Sequence, residues 1–241
     1  MQALIPTPAS GVWRLRLAWT QVYVLTDGRQ FMLVDTGLCY ERHQLQAALK
    51  ERHLSRCAGI LLTHGHCDHA GNAAWAKSQW NAPCFAHKNE APFLETRRTY
   101  VPKGRRACSL KGVMFAGGEW VYPVQRLKLD GYLQDGDEIE TPAGLWRVFH
   151  TPGHTPGHIS LFREADGALL SGDALLNTIP FQQRIGLSIP APLFNSYTPQ
   201  VFQSARRLAT LQPRILLPGH GPPMESQLTA CLWNYIRTLR F

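Results

Sequence analysis

Residues 61–72 read LLTHGHCDHAGN, which places His64, His66, Asp68 and His69 within six positions. The apolar run before them, "AGILLT", reads as a buried strand, and "GNAAWAKSQW" after them reads as a helix. An extended chain sends alternate side chains to one side, so His64 and His66 converge on one point. Asp68 and His69 follow where the chain enters the helix and reach a second point. A lone histidine is an ordinary surface or core residue, whereas this spacing of imidazoles and a carboxylate is a metal-ligand set. Zinc suits such donors, and iron and manganese accept them.

One short segment rarely fills a catalytic site, so other strand ends should add donors. "HTPGHTPGH" (150–158) offers His154 in a Gly/Pro turn between two strands. "LLSGDALL" (169–176) offers Asp173, and "LLPGHGPP" (216–223) offers His220, each where an apolar strand stops. Rigid loops at strand ends are where sites in layered folds gather.

The remaining pattern is strand-rich. "VWRLRLA", "VYVLT" and "FMLVD" open the chain, and Asp27-Gly28 marks a hairpin between the last two. Helices are expected at 40–52, directly after the histidine cluster, at 198–211 with Thr198 as N-cap and Pro199 first, and at 224–240. Strands return at "PCFAH", "LWRVFH", "HISLF", "GALLSGD" and "RILLPG". Residues 174–198 read as a long loop, and 88–118 as an irregular cap or insertion. Two similar halves, each sending a histidine-bearing turn from a strand end, predict two sheets between helices.

The net charge is +8, part of it in Arg97, Arg98, Lys103, Arg105, Arg106 and Lys111. Few aromatics interleave there, so a rim facing an anionic small molecule is expected and nucleic acid is not. No apolar run reaches the roughly 18 residues of a membrane span, and the N-terminus has no secretory pattern. The six cysteines are scattered without a CxxC pair, which suggests reduced thiols and a cytoplasmic location.

Taken in order, "DTG" (35–37), "THGHCDHAGN" (63–72), "TPGHTPGH" (151–158), "SGDAL" (171–175) and "PGHG" (218–221) resemble the five successive motifs of the metallo-β-lactamase superfamily. The resemblance implies an α/β fold, a four-layer αββα sandwich forming one domain over 1–241. It implies a first metal held by His64, His66 and His154, and a second by Asp68, His69 and His220. Asp173 would bridge them, and Asp35 would support the histidine loop. His158 is expected to make a structural hydrogen bond, and Cys67 not to be a ligand. His43 and His53 are expected on the early helix, exposed, and His87 is a candidate neighbour of the site.

The implied reaction is hydrolysis of a thioester, ester or lactone by water activated between two divalent ions, zinc first among them, with Asp68 accepting its proton. The motifs are similar to those of hydroxyacylglutathione hydrolases (glyoxalase II) and of acyl-homoserine lactonases. Against the former, 21 residues follow His220, too few for that family's helical domain. Against the latter, Leu176 replaces a tyrosine, for which Tyr197 could substitute. Phe181, Arg184, Phe194 and Tyr197 are expected to wall the pocket. A mononuclear iron oxygenase of the persulfide dioxygenase type, and a non-catalytic binding module, are the alternatives. The oligomeric state is not legible.

Overall fold

A computed structural model describes residues 3–96, 124–179, 182 and 184–239. Two β-sheets organise it. The first has seven strands in sequence order, β1 (Ile5–Pro6), β2 (Val12–Arg16), β3 (Gln21–Thr26), β4 (Gln30–Val34), β5 (Arg56–Leu61), β6 (Cys84–His87) and β7 (Gly131–Leu133). The second has five, β8 (Glu138–Thr141), β9 (Gly144–His150), β10 (Ile159–Arg163), β11 (Ala168–Gly172) and β12 (Ile215–Pro218), ordered β12-β11-β10-β9-β8.

The pairing explains where the turns fall. β1 to β4 pair antiparallel, and β4 to β7 pair parallel. The Asp27-Gly28 hairpin joins β3 to β4, with Gly28 at φ +88, a conformation glycine adopts without steric cost. In the second sheet β8 to β11 are antiparallel and β11 pairs parallel with β12. Parallel partners end on the same edge, so the chain leaves β4, β5, β11 and β12 in register, with the turns carrying Asp35, His64, Asp173 and His220.

Period-two alternation decides which sheet face meets which layer. In β3, every residue of which is buried, Val22 and Val24 join an outer core, while Tyr23 and Leu25 join an inner one. Phe31 and Leu33 divide from Met32 and Val34 in the same way. The inner core lies between the sheets, where Leu61, Trp146, Val148, Leu161, Leu170 and Leu217 meet. The outer face of the first sheet is covered by α1 (Arg42–Glu51), through Leu45 and Leu49, and by α3 (Ala73–Trp80), through Ala73 and Ala76. A one-turn helix, α2 (Cys67–Ala70), precedes α3, and another, α4 (Ala91–Leu94), follows β6. The second sheet is covered by α5 (Thr198–Thr210), through Ala205 and Leu208, and by α6 (Leu228–Thr238), through Leu228, Leu232 and Ile236. The result is helix, sheet, sheet, helix.

Three expectations change in detail. Thr198 is the first helical residue of α5, and Tyr197, extended at φ −153, precedes it. The last helix starts at Leu228, because Met224 pairs with Leu216 and Gln227 turns the chain at φ +56. Residues 174–198 are not structureless: Leu176 pairs with Ser188, Ile179 with Arg184, and 192–194 form a 3-10 turn. The basic cluster between Arg97 and Lys111, and Phe181, lie outside the described residues. No helix among the described residues is long and apolar enough to cross a membrane.

Polar bonds also tie the sheets together at the edge where the turns meet. The buried Tyr23 hydroxyl donates to the Pro218 carbonyl at 2.8 Å, and the Gln21 N–H to the Gly219 carbonyl at 2.8 Å. Removing the hydroxyl leaves a buried carbonyl one partner short, which costs about 1–3 kcal/mol. Tyr23→Phe should therefore lower the unfolding free energy by that amount, seen as a lower urea midpoint at an unchanged slope, and an unchanged midpoint would show the bond contributes nothing.

Candidate metal centre

The turns at this edge bring together all seven donors singled out in the sequence. Three groups form, with donor atoms inside 4.8 Å of one another: His64, His66 and His154; His64, His69 and Asp173; and Asp68, His69 and His220. His64 follows β5, while His66 is still extended at ψ 151 immediately before α2, whose first turn carries Asp68 and His69. His154 lies in the turn between β9 and β10, Asp173 follows β11, and His220 follows β12.

Asp173 links the groups. Its Oδ1 lies 3.4 Å from His69 Nε2, and its Oδ2 lies 3.4 Å from His154 Nε2 and 3.2 Å from His220 Nε2. Asp68 Oδ2 is 3.5 Å from His220 Nε2 and 3.8 Å from His69 Nε2. His64, His69, His154 and Asp173 are buried, while His66, Asp68 and His220 are partly exposed, so the cluster opens on their side.

Outer hydrogen bonds orient the rings. His69 Nδ1 donates to Asp35 Oδ2 at 2.8 Å, and His220 Nδ1 donates to the Trp19 carbonyl at 2.6 Å. His154 Nδ1 faces Asn195 Oδ1 at 3.2 Å, whose amide nitrogen donates to the Pro190 carbonyl and so leaves the oxygen as acceptor. His64 Nδ1 meets the Thr63 hydroxyl at 3.0 Å, and that hydroxyl donates on to Asp35. Each of these four rings therefore carries a proton on Nδ1 and turns its Nε2 inward. That is the arrangement in which a protein holds imidazoles for a metal.

The donor atoms themselves are poorly served by the protein. His69 Nε2, His154 Nε2 and Asp173 Oδ1 are buried without a hydrogen-bond partner. Such orphans are costly unless something else satisfies them. A divalent cation among these atoms does so, and the donor set fits one.

Charge follows the same division. Burial, and then the neighbouring His69, His66 and His154, push His64 well below the usual imidazole range. Burial and His154 do the same to His66, and burial lowers His154 itself. These three are neutral, as ligands must be. Burial opposes charge on His69 too, but Asp173, Asp68 and Asp35 outweigh it and hold that ring well above its ordinary value. His220 is raised by Asp173 against its burial, and Asp173 is held low by His220 and His69 against its own. A cation entering beside His69 and His220 displaces protons, so its affinity rises with pH.

The other expectations divide. His158 is outside the three groups: its Nε2 accepts from the Asp173 N–H at 2.8 Å and its Nδ1 meets the Thr151 hydroxyl at 2.8 Å, a structural role. Cys67 opens α2 outside all three groups. His43 and His53 are exposed. His87 is not among the clustered donors; its ring stacks on His150, centroids 4.1 Å apart. Tyr197 is 56 % exposed, with its N–H on the Gly153 carbonyl beside His154. Phe194 is half-buried and Arg184 exposed. Sequence reasoning missed Asn195, whose neighbours Phe194 and Tyr197 were singled out instead; a lone Asn in a loop carries no spacing signal. It also missed the Trp19 carbonyl, since a backbone contact leaves no trace in residue type.

His87 is buried, and its Nδ1 accepts from the Asn89 N–H at 3.1 Å, which requires a neutral ring. Burial, then His150 and Lys88, lower its pKa to about 4, against an unfolded value near 6.5. The unfolded chain thus binds the extra proton between these values, so this contribution is complete above about 6.5 and lost as pH falls toward 4. His87→Asn keeps an acceptor at this position. Its denaturation midpoint should fall less steeply than wild type between pH 6.5 and 4, and parallel curves would refute the assignment.

With the geometry established, comparison with known proteins places it. Residues 20–220 match the metallo-beta-lactamase superfamily. The "Probable metallo-hydrolase YflN" of Bacillus subtilis is 31 % identical over 232 residues, covering 91 % of this chain and 87 % of that protein. An "Atrochrysone carboxyl ACP thioesterase" of Aspergillus fumigatus is 25 % identical over 88 % of this chain and 54 % of its own length. The crystal structure of the metallo-beta-lactamase family protein TTHA1429 from Thermus thermophilus superposes with a TM-score of 0.70, at 24 % identity, covering 98 % of this chain and 78 % of that one. The chain belongs to the metallo-beta-lactamase superfamily and is an enzyme of its metallo-hydrolase type.

Proposed function

We propose that this chain is a hydrolase holding two divalent ions, zinc in the first place, that cleaves a thioester, ester or lactone. The observation that carries it is the convergence of the inward-turned Nε2 atoms of His69 and His154 with Asp173 Oδ1, all buried without a hydrogen-bond partner. His64, His66 and His154 would hold one ion and Asp68, His69 and His220 the other, with Asp173 shared between them. Divalent ions so placed supply Lewis acidity, lowering the pKa of water and polarising a carbonyl oxygen.

The chain's own residues do the rest. Asp68 lies on the open side and accepts the proton that the attacking water releases. The Asp35, Asn195 and Trp19 anchors hold the imidazoles, so that no ring has to reorient during the reaction. Leu176 is aliphatic and buried and has no hydroxyl to offer; Tyr197 beside the His154 turn is the candidate to contact substrate. Phe194 and Arg184 would wall the pocket with it. The thioester reading is supported by the similarity to the Aspergillus thioesterase. The basic 97–111 segment favours an anionic small molecule, and Cys39, Cys57, Cys67, Cys84 and Cys231, which form no disulfide, favour the cytoplasm. One domain over 1–241 is part of the same reading.

Asp173→Ala removes the shared carboxylate, and should lose at least one ion per chain and 100-fold or more of turnover, about 3 kcal/mol of barrier. His158→Ala should keep its ions and lose about 1–3 kcal/mol of stability, because the Asp173 N–H and Thr151 hydroxyl lose a buried partner. Metal analysis with a screen of thioesters, esters and lactones checks both. One iron per chain with oxygen consumption on glutathione persulfide would replace hydrolysis with oxygenation. A zinc-loaded sample inert on the whole panel would leave a binding module.

A further inference from the structure

Glu90 ends the 3-10 turn Lys88–Glu90 between β6 and α4, part of the segment expected to be a cap, and it is completely buried. A buried carboxylate is tolerated only where strong hydrogen bonds replace its water. Its Oε2 accepts from the Gly65 N–H at 2.8 Å, and its Oε1 from the Gly157 N–H at 2.7 Å. Gly65 stands between His64 and His66, on the turn leaving the seven-stranded sheet. Gly157 stands three residues after His154, on the turn of the five-stranded sheet. One side chain therefore joins the two turns whose histidines form the three-imidazole group.

The packing around it is specific to this contact. A Cβ at Gly157 would come within 2.8 Å of the Glu90 backbone nitrogen, Cγ and Oε1, so only glycine allows the approach. Neighbours in the same turn press on the same run: Asn89 Nδ2 donates to the Pro156 carbonyl at 3.3 Å, and His87 stacks on His150. Neither spacing nor motif pointed to Glu90, because its partners are backbone amides and not donors of the cluster.

We propose that Glu90 is a positioning residue that sets the separation of His154 from His64 and His66, and with it the metal affinity of that group. The inference rests on the metal reading given above. Glu90 acts through the two glycine amides. Glu90→Gln replaces one accepting oxygen by an NH2 that cannot accept, so one of the two turns loses its tie.

The test is zinc affinity of the apoprotein by chelator competition, with backbone amide NMR. Glu90→Gln should bind the ion of the three-histidine group about 10–100-fold more weakly, the range for residues that orient ligands. Glu95→Gln, which alters a carboxylate that accepts from the Leu129 N–H away from the cluster, should bind as wild type does. In a His154→Ala background, which lacks the group, Glu90→Gln should cause no further loss. Full affinity in Glu90→Gln, or an equal loss in both backgrounds, overturns the proposal. If wild type itself takes up no metal, the metal reading fails first and is seen to fail separately. Should Glu90→Gln not fold, wild-type apoprotein decides: downfield, slowly exchanging Gly65 and Gly157 amides support the tie, and rapidly exchanging ones refute it.

Discussion

Asp173 is a carboxylate buried among imidazoles that arrive from three different turns, and the architecture answers to that constraint. It sits within 3.4 Å of His69 and His154 and 3.2 Å of His220, with an oxygen that no protein donor satisfies. A charged group so placed is stable only if its neighbours are held rigidly and carry positive charge, by proton or by cation. The inward charge is matched by an outer ring of acceptors: Asp35 behind His69, Asn195 behind His154 and the Trp19 carbonyl behind His220. Burial forces this two-layer organisation, since an unanchored ring in the same volume would sample both faces.

The second requirement is that two independent sheets keep their edges in register. The apolar layer between them, with Trp146 and Leu161 facing Leu25 and Leu61, supplies cohesion but little direction. Direction comes from a few hydrogen bonds at the site edge. Tyr23 reaches Pro218, the Ile159 N–H reaches the Thr63 carbonyl, and Glu90 spans Gly65 and Gly157. Asp35 adds a further demand. It holds φ +64, unusual for a residue with a side chain, and its carboxylate serves Thr63 and His69 together. The local strain is sustained because both oxygens are used.

The loop at 174–198 shows how the same physics limits movement. Its far end is bonded to the His154 turn through the Ser196 and Tyr197 N–H groups and through Asn195. Its near end pairs with itself at Leu176 and Ser188. The far end, bonded to a donor-bearing turn, is part of the site's frame, so Tyr197 is presented from backbone tied to the His154 turn.

The residues by themselves determined the donors and the strands that deliver them. His64, His66, Asp68 and His69 are legible because metal chemistry restricts residue type and the chain's own geometry restricts spacing. His154, Asp173 and His220 are legible because each closes an apolar run. Two sheets between helices were legible from the two halves that each send a histidine-bearing turn from a strand end, and the four-layer order from the resemblance; β3 and β4, almost wholly buried, are strands covered on both faces. Helix boundaries were less legible, because the starts of α5 and α6 depend on pairing and backbone turns remote from any cap signal. Only the tertiary structure decided which groups stand behind the donors. Glu90, Asn195 and Trp19 act across separations of 25 to 201 residues, two of them through backbone atoms that every residue possesses. Contacts of that kind depend on where the chain is folded, and residue identity encodes them only through the whole fold.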